Sequence, residues 1–160
     1  MRTIELDVFT YAELEGEAKQ RARDWYCEGL EYYWWNDSIQ SVKDFCALFN
    51  VSVKDYSVGA FIYSWIETDA SNEHFRGWDK KRINALKDKE ITGYYIDCVL
   101  IDALIEMYAL NGDAKSAFLY AIDCAVKDIV SDWEYQYSEE AVSEMMEVNC
   151  YEFDEDGNRI

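Results

Sequence analysis

Hydrophobic and polar positions change period several times along the chain, and each change marks an element. Residues 3–9 alternate, with Ile4, Leu6 and Val8 set against Glu5 and Asp7, which predicts a half-buried strand. Leu14, Ala18, Ala22, Trp25 and Tyr26 then recur at helical spacing opposite a charged row of Glu15, Lys19 and Arg23. Gly29 is placed to end that helix. Trp35, Ile39, Val42, Cys46 and Phe49 form the stripe of a second helix, with Asn36 or Asp37 as its expected cap. From Val51 the chain turns β-branched and aromatic, predicting strands at about 51–57 and 60–67 that meet near Gly59.

A polar loop, TDASNEHFRG, leads to a short basic helix expected at 78–88 (Lys80, Lys81, Arg82, Lys87). An apolar helix follows over 94–110, with Gly112 suited to a left-handed cap. Asp113 caps the next helix, 114–134, whose stripe is Ala117, Phe118, Ala121, Ile122, Ala125 and Ile129. Ser138-Glu139-Glu140 opens a last helix reaching about 148, since acids suit a helix's positive end. CYEF closes the chain as a strand. This order predicts an α+β fold, a small, mainly antiparallel sheet with helices packed on one face. With 160 residues, no proline and no linker-like stretch, a single domain is expected over 1–160.

Charge changes the picture more than composition does. The chain holds 33 acids and 15 bases, a net of −18, while half its residues are apolar, so a packed core is affordable despite self-repulsion. The imbalance is concentrated: residues 88–160 carry 18 acids and 4 bases. Within 128–157 stand Asp128, Asp132, Glu134, Glu139, Glu140, Glu144, Glu147, Glu152, Asp154, Glu155 and Asp156, with no lysine or arginine among them. Direct nucleic-acid binding needs cations to displace counterions from phosphate, so this balance argues against it. An anionic membrane surface is disfavoured for the same reason. A basic partner protein fits.

Candidate chemistry is sparse. The single histidine, His74, sits in a polar loop with no nucleophile beside it in sequence, and no glycine-rich phosphate loop is present, so no enzyme, catalytic residue or cofactor is expected. Five cysteines at 27, 46, 98, 124 and 150 lack metal-ligand spacing and read as buried free thiols of a reducing cytoplasm; no metal is expected. Glu152, Asp154, Asp156 and Gly157 imitate the start of a calcium loop. The chain stops before a twelfth-position glutamate, however, and a tight turn at Asp156-Gly157 is the better reading. No signal peptide is expected in MRTIELDVFT, and the most apolar window, 96–110, is broken by Asp97, Asp102 and Glu106.

Two stretches can serve as binding surface. Tyr32, Tyr33, Trp34 and Trp35 pack at a helix entry or stand out as an anchor. The acidic stretch is a solvated face, the mark of a salt-adapted proteome, or a wall facing a partner. Glu140, Glu144 and Glu147 follow i, i+4, i+7 and so share one helix face, where like charges destabilise. Nothing within the helix offsets that repulsion, which favours use. The partner-facing residues expected are the eleven acids together with Trp133, Tyr135 and Tyr137.

VFTYAELEGEAKQRARDWY, YYWWNDSIQSVKDF and the ending EVNCYEFDEDGNR resemble a family of small, mostly uncharacterised bacteriophage and prophage proteins. The matching residues are Tyr11, Glu13, Leu14, Ala18, Lys19, Ala22, Arg23, Asp24, Trp25 and Tyr26, then Tyr151 to Arg159, about a third of the chain at its two ends. Some relatives carry antitoxin-like labels. The resemblance implies a mobile-element protein in a bacterial cytoplasm and no catalytic residues. By analogy of class with acidic phage proteins that mimic DNA, the leading expectation is a non-enzymatic inhibitor of a host defence complex. A CRISPR effector or a restriction enzyme would be blocked at its basic groove. The alternatives are an antitoxin-like module neutralising a basic toxin, and an accessory phage protein whose acidity serves solubility.

Overall fold

The computed structural model describes residues 6–160. In chain order its elements are β1 (Phe9–Thr10), α1 (Gly16–Glu28), α2 (Trp35–Ala47), β2 (Val53–Ser57), β3 (Trp65–Thr68), α3 (Lys80–Asn84), α4 (Ile96–Asn111), α5 (Ala114–Tyr135), α6 (Glu139–Val148) and β4 (Glu152–Phe153). Short 3-10 turns lie at Tyr11–Glu13 and Asn72–Phe75. The fold is α+β, with antiparallel strand pairing and packed helices. The strands form two separate ribbons, β1 with β4 and β2 with β3.

The chain gathers into two compact units, Met1–Tyr32 with Glu134–Ile160, and Tyr33–Trp133. In the first, α6 packs on α1 and on the 3-10 turn, around a core of Tyr11, Leu14, Ala22, Val142, Met146 and Phe153. Phe9 pairs with Phe153 and Thr10 with Glu152. The strand expected at 3–9 is shorter than its alternation suggests. Residues 3–5 lie outside the described residues, and Leu6 to Val8 are irregular because β4 offers only two residues before the chain turns at Asp154. That turn closes tightly: Gly157, at φ +82°, lies so near α1 that a Cβ there would sit 2.0 Å from the carbonyl oxygen of Ala18.

In the second unit α4 packs on α2 and α3. Phe45, Phe49, Phe75 and Phe118 form a buried aromatic cluster, with Phe45 and Phe118 stacked 5.4 Å apart and Trp78 4.3 Å from Phe49. The α2 cap differs from expectation. Trp34 precedes the helix without a side-chain cap bond, and Asn36 and Asp37 fall in its first turn, where Asp37 still suits the positive end. The basic helix is cut to Lys80–Asn84, with the Asp79 carboxylate accepting from the Arg82 amide at 2.9 Å. Gly112 ends α4 at φ +68°, as its position predicts. Asp113 accepts from the Ser116 amide at 3.3 Å to cap α5, and Ser138 accepts from the Ala141 amide at 3.2 Å to cap α6.

Of the five cysteines only Cys46 is buried, its thiol pushed up to about 12 by burial. Cys98 and Cys150 are exposed, so the expectation of uniformly buried thiols is corrected. Apolar stripes place a cysteine on a helix but not at the depth of its neighbours. Among the described residues no helix is long and apolar enough to cross a membrane.

Candidate functional site

The first unit holds 17 acids against 5 bases in its sequence, a net of −12. Its described bases are all engaged within the unit. Lys19 lies 3.6 Å from Glu139 and over the Tyr11 ring, and Arg23 lies 3.5 Å from Glu139 and donates to the Tyr137 carbonyl. Arg21 donates to the Asp156 carbonyl at 2.9 Å, and Arg159 donates to the Glu152 carbonyl at 3.1 Å with its guanidinium over Tyr151. Among the described residues of this unit, Glu139 is the acid whose carboxylate forms ion pairs with these cations.

The predicted partner-facing acids therefore divide by what they touch. Glu139 anchors the unit internally, also accepting from the Tyr11 hydroxyl at 2.8 Å. Asp154 holds the terminal turn: its carboxylate accepts from the Asp156 amide at 3.0 Å, the Asn158 amide at 2.8 Å and the Asn158 side chain. Those bonds, with the Asn158 side chain contributing most, hold its carboxyl below the ordinary range. Asp128 and Asp132 belong to the second unit, where Asp128 accepts from the Tyr95 hydroxyl; burial first, then this carboxylate, raises the Tyr95 ionisation far above a free phenol's.

Glu140, Glu144 and Glu147 stand exposed on the α6 face opposite buried Val142 and Met146, as their spacing requires. Glu152, Glu155 and Asp156 are exposed on the segment that follows. No described lysine or arginine forms an ion pair with any of these six. Glu134 is half-buried.

The predicted aromatic anchors separate too. Trp133 is half-buried in the second unit, its ring 6.2 Å from that of Trp35. Tyr135 is exposed and Tyr137 half-buried, with its carbonyl held by Arg23. YYWW splits across both of its readings: Tyr32 is buried, Trp35 half-buried, and Tyr33 and Trp34 exposed.

Sequence reasoning missed two features. The loop between β2 and β3 exposes Phe61, Ile62 and Tyr63 in succession, with Phe61 at φ +60°. Its uncharged run, VGAFIYS, is the available signal: the strand expected at about 60–67 begins only at Trp65, so these apolar residues belong to the loop. The second is a cavity of about 280 Å³ in the first unit, bounded by Tyr11 and the adjoining Thr10 and Ala12, by Ser143, Met146 and Glu147 of α6, and by Cys150, Tyr151 and Glu152.

The cavity exists because α6 ends abruptly. The Tyr151 amide donates back to the Met146 carbonyl and the Cys150 amide to Glu147, each at 3.0 Å, with Cys150 left-handed at φ +52°. This is the paired-bond ending that helices usually build on glycine. It turns the chain sharply enough for Glu147 and Glu152 to line one cavity.

Among the described residues no group of three or more His, Cys, Asp or Glu side chains could hold a metal ion. Comparison of the chain with protein families, with curated proteins and with solved structures found no match.

Proposed function

We propose that the protein is a non-enzymatic inhibitor that occupies the basic, nucleic-acid-binding groove of a bacterial defence complex, with a CRISPR effector the leading partner. The observation that carries this reading is the group of six exposed carboxylates on α6 and the segment after it, Glu140, Glu144, Glu147, Glu152, Glu155 and Asp156, to which no described cation is paired. Neighbouring acids on one helix face lie roughly 5–6 Å apart. Duplex DNA presents one charge per about 1.7 Å of axis, so the α6 row is sparser than a duplex, and the acids of the following segment add to its negative charge. The cellular setting comes from the resemblance of the chain's two ends to phage proteins. A net of −12 on one unit accelerates encounter with a cationic groove and makes binding salt-sensitive.

The test is competition: labelled target duplex bound to a purified guide-loaded effector, displaced by increasing amounts of the protein at several salt concentrations. Displacement that weakens steeply with salt, and that disappears in the Glu140→Lys/Glu144→Lys/Glu147→Lys variant, is expected. Displacement unaffected by those reversals would reject the acidic face as the inhibitory surface.

A further inference from the structure

The cavity lined by Tyr11, Met146, Glu147 and Glu152 combines apolar and acidic groups in one concave site. Its volume of about 280 Å³ falls at the low edge of the ~300–1,000 Å³ that small-molecule sites span. Its lining includes buried Met146 and Tyr11 together with two exposed acidic residues, Glu147 and Glu152. Neither carboxylate is paired with a described lysine or arginine. An apolar stem ending in a positive charge matches both halves, and a planar guanidinium can serve two carboxylates at once where an ammonium acts as a point charge.

We propose that this cavity receives a single arginine side chain of the partner protein. The proposal rests on the reading of the acidic face as a partner surface and makes it more specific. The face supplies long-range attraction to a basic groove, and the socket selects one residue within it. An arginine that meets carboxylates and apolar groups in one cavity is the kind of central, desolvated contact that dominates interface energetics. Self-association is disfavoured as a source of that arginine, because copies of net charge −18 repel one another.

The experiment uses the full chain with ε-methyl-labelled methionine and the probe Nα-acetyl-L-arginine methylamide at physiological salt. The Met146 methyl should shift saturably, while that of Met145, exposed on the same helix, should not follow it. The citrulline analogue, matched in shape but uncharged, and the lysine analogue should each bind about tenfold more weakly. Glu147→Gln/Glu152→Gln should lose about the same factor, and Ser143→Phe, which fills the cavity from a half-exposed position, should abolish the shift.

Equal affinity for citrulline or lysine, a shift that never saturates, or an undiminished response in Ser143→Phe would each overturn the proposal. So would an equal loss in Glu140→Gln/Glu144→Gln, since it would mean diffuse attraction in place of a socket. If the probe binds as expected but the protein fails to displace duplex, the socket stands and the DNA-groove reading falls. Displacement without probe binding gives the reverse.

Discussion

Tyr11 and Glu139, 128 positions apart in the chain, are joined by a hydrogen bond of 2.8 Å from the phenol to the carboxylate. The same carboxylate lies within 3.6 Å of Lys19 and 3.5 Å of Arg23, so one acid ties the 3-10 turn, α1 and α6 together. Tyr11 is buried, and that burial, followed by the Glu139 bond, raises its ionisation far beyond the ordinary phenol value. Glu139 is more than half exposed, so its ion pairs are screened and contribute little; the hydrogen bond carries most of the effect. Tyr11→Phe should lower stability by about 1 kcal/mol. Glu139→Ala, which strands the buried hydroxyl, should cost about 1–3 kcal/mol. Urea denaturation of the two single variants and the double variant should give a coupling of about 0.5–1.5 kcal/mol, and additive effects would deny the link.

Gly157 offers a sharper steric test. An added Cβ would meet the backbone of Ala18 at 2.0 Å, and backbone cannot step aside as a flexible side chain can. Gly112 has a similar left-handed φ of +68° but nothing within 4 Å of a Cβ. Gly112→Ala should therefore cost about 1 kcal/mol for conformation alone. Gly157→Ala should cost about 3 kcal/mol or more, or undo the β1–β4 pairing. Comparable denaturation midpoints for the two variants would contradict the close approach.

Much of this architecture is legible in the residue pattern, and the exceptions share a cause. α1, α4, α5 and α6 follow from apolar periodicity bounded by Gly29, Gly112, Asp113 and Ser138, all local signals. The separation of Glu139 and Asp154 from the other acids is not local. Glu139 acquires its role from a residue 128 positions away, and Asp154 from the way the last residues fold back on it. Trp35 resembles Tyr33 and Trp34 in sequence, yet it alone of these three falls on the inward side once α2 begins. The cavity depends on a left-handed cysteine, where the usual sequence signal would be glycine.

Cys150 supplies the next test. Its left-handed conformation is strained by roughly 1–2 kcal/mol relative to glycine, partly offset by the entropy glycine would lose on folding. Cys150→Gly should raise stability by about 0.5–1 kcal/mol, while Cys150→Ala should leave it nearly unchanged. A stabilised glycine variant with intact arginine-probe binding would show that the turn, and not the thiol, builds the socket. Destabilisation by glycine would place the turn's energetics elsewhere.

Asp97 is one of the carboxylates through which the second unit should respond to acid, beside Asp69 and Asp113, which are also held below the ordinary range. Within α4's first turn its buried carboxylate accepts from the amides of Ile91, Thr92 and Gly93 at 2.7–2.9 Å and from the Thr92 hydroxyl at 2.9 Å. Burial pushes its pKa up, but these bonds together outweigh it and hold the carboxyl below its ordinary 3.8. A pKa depressed by folding gives stability that is fully present above the unfolded value and is lost as pH falls through the folded one. The loop at 91–93 should therefore loosen below about pH 3.8, seen as faster amide exchange at those three positions. Asp97→Asn should cost about 1–3 kcal/mol at neutral pH and flatten the acid limb of the stability curve. An unchanged acid limb would rule Asp97 out as its source.

The α6 carboxylates allow stability and function to be moved in opposite directions. Glu140 and Glu144 repel at i,i+4, Glu144 and Glu147 at i,i+3, and Glu147 also lies in the last turn of α6, against the negative end of the helix dipole. Glu144→Gln/Glu147→Gln relieves all three, so its thermal midpoint should rise by the equivalent of a few tenths to about 1 kcal/mol. A face kept only for solubility would leave duplex displacement intact in this variant. A face that stands in for phosphate would lose displacement while the protein becomes more stable, and the loss should be largest at low salt, where screening is weakest. Gain of stability with loss of competition is the expected result. Retained competition at every salt concentration would leave these carboxylates without a role in binding.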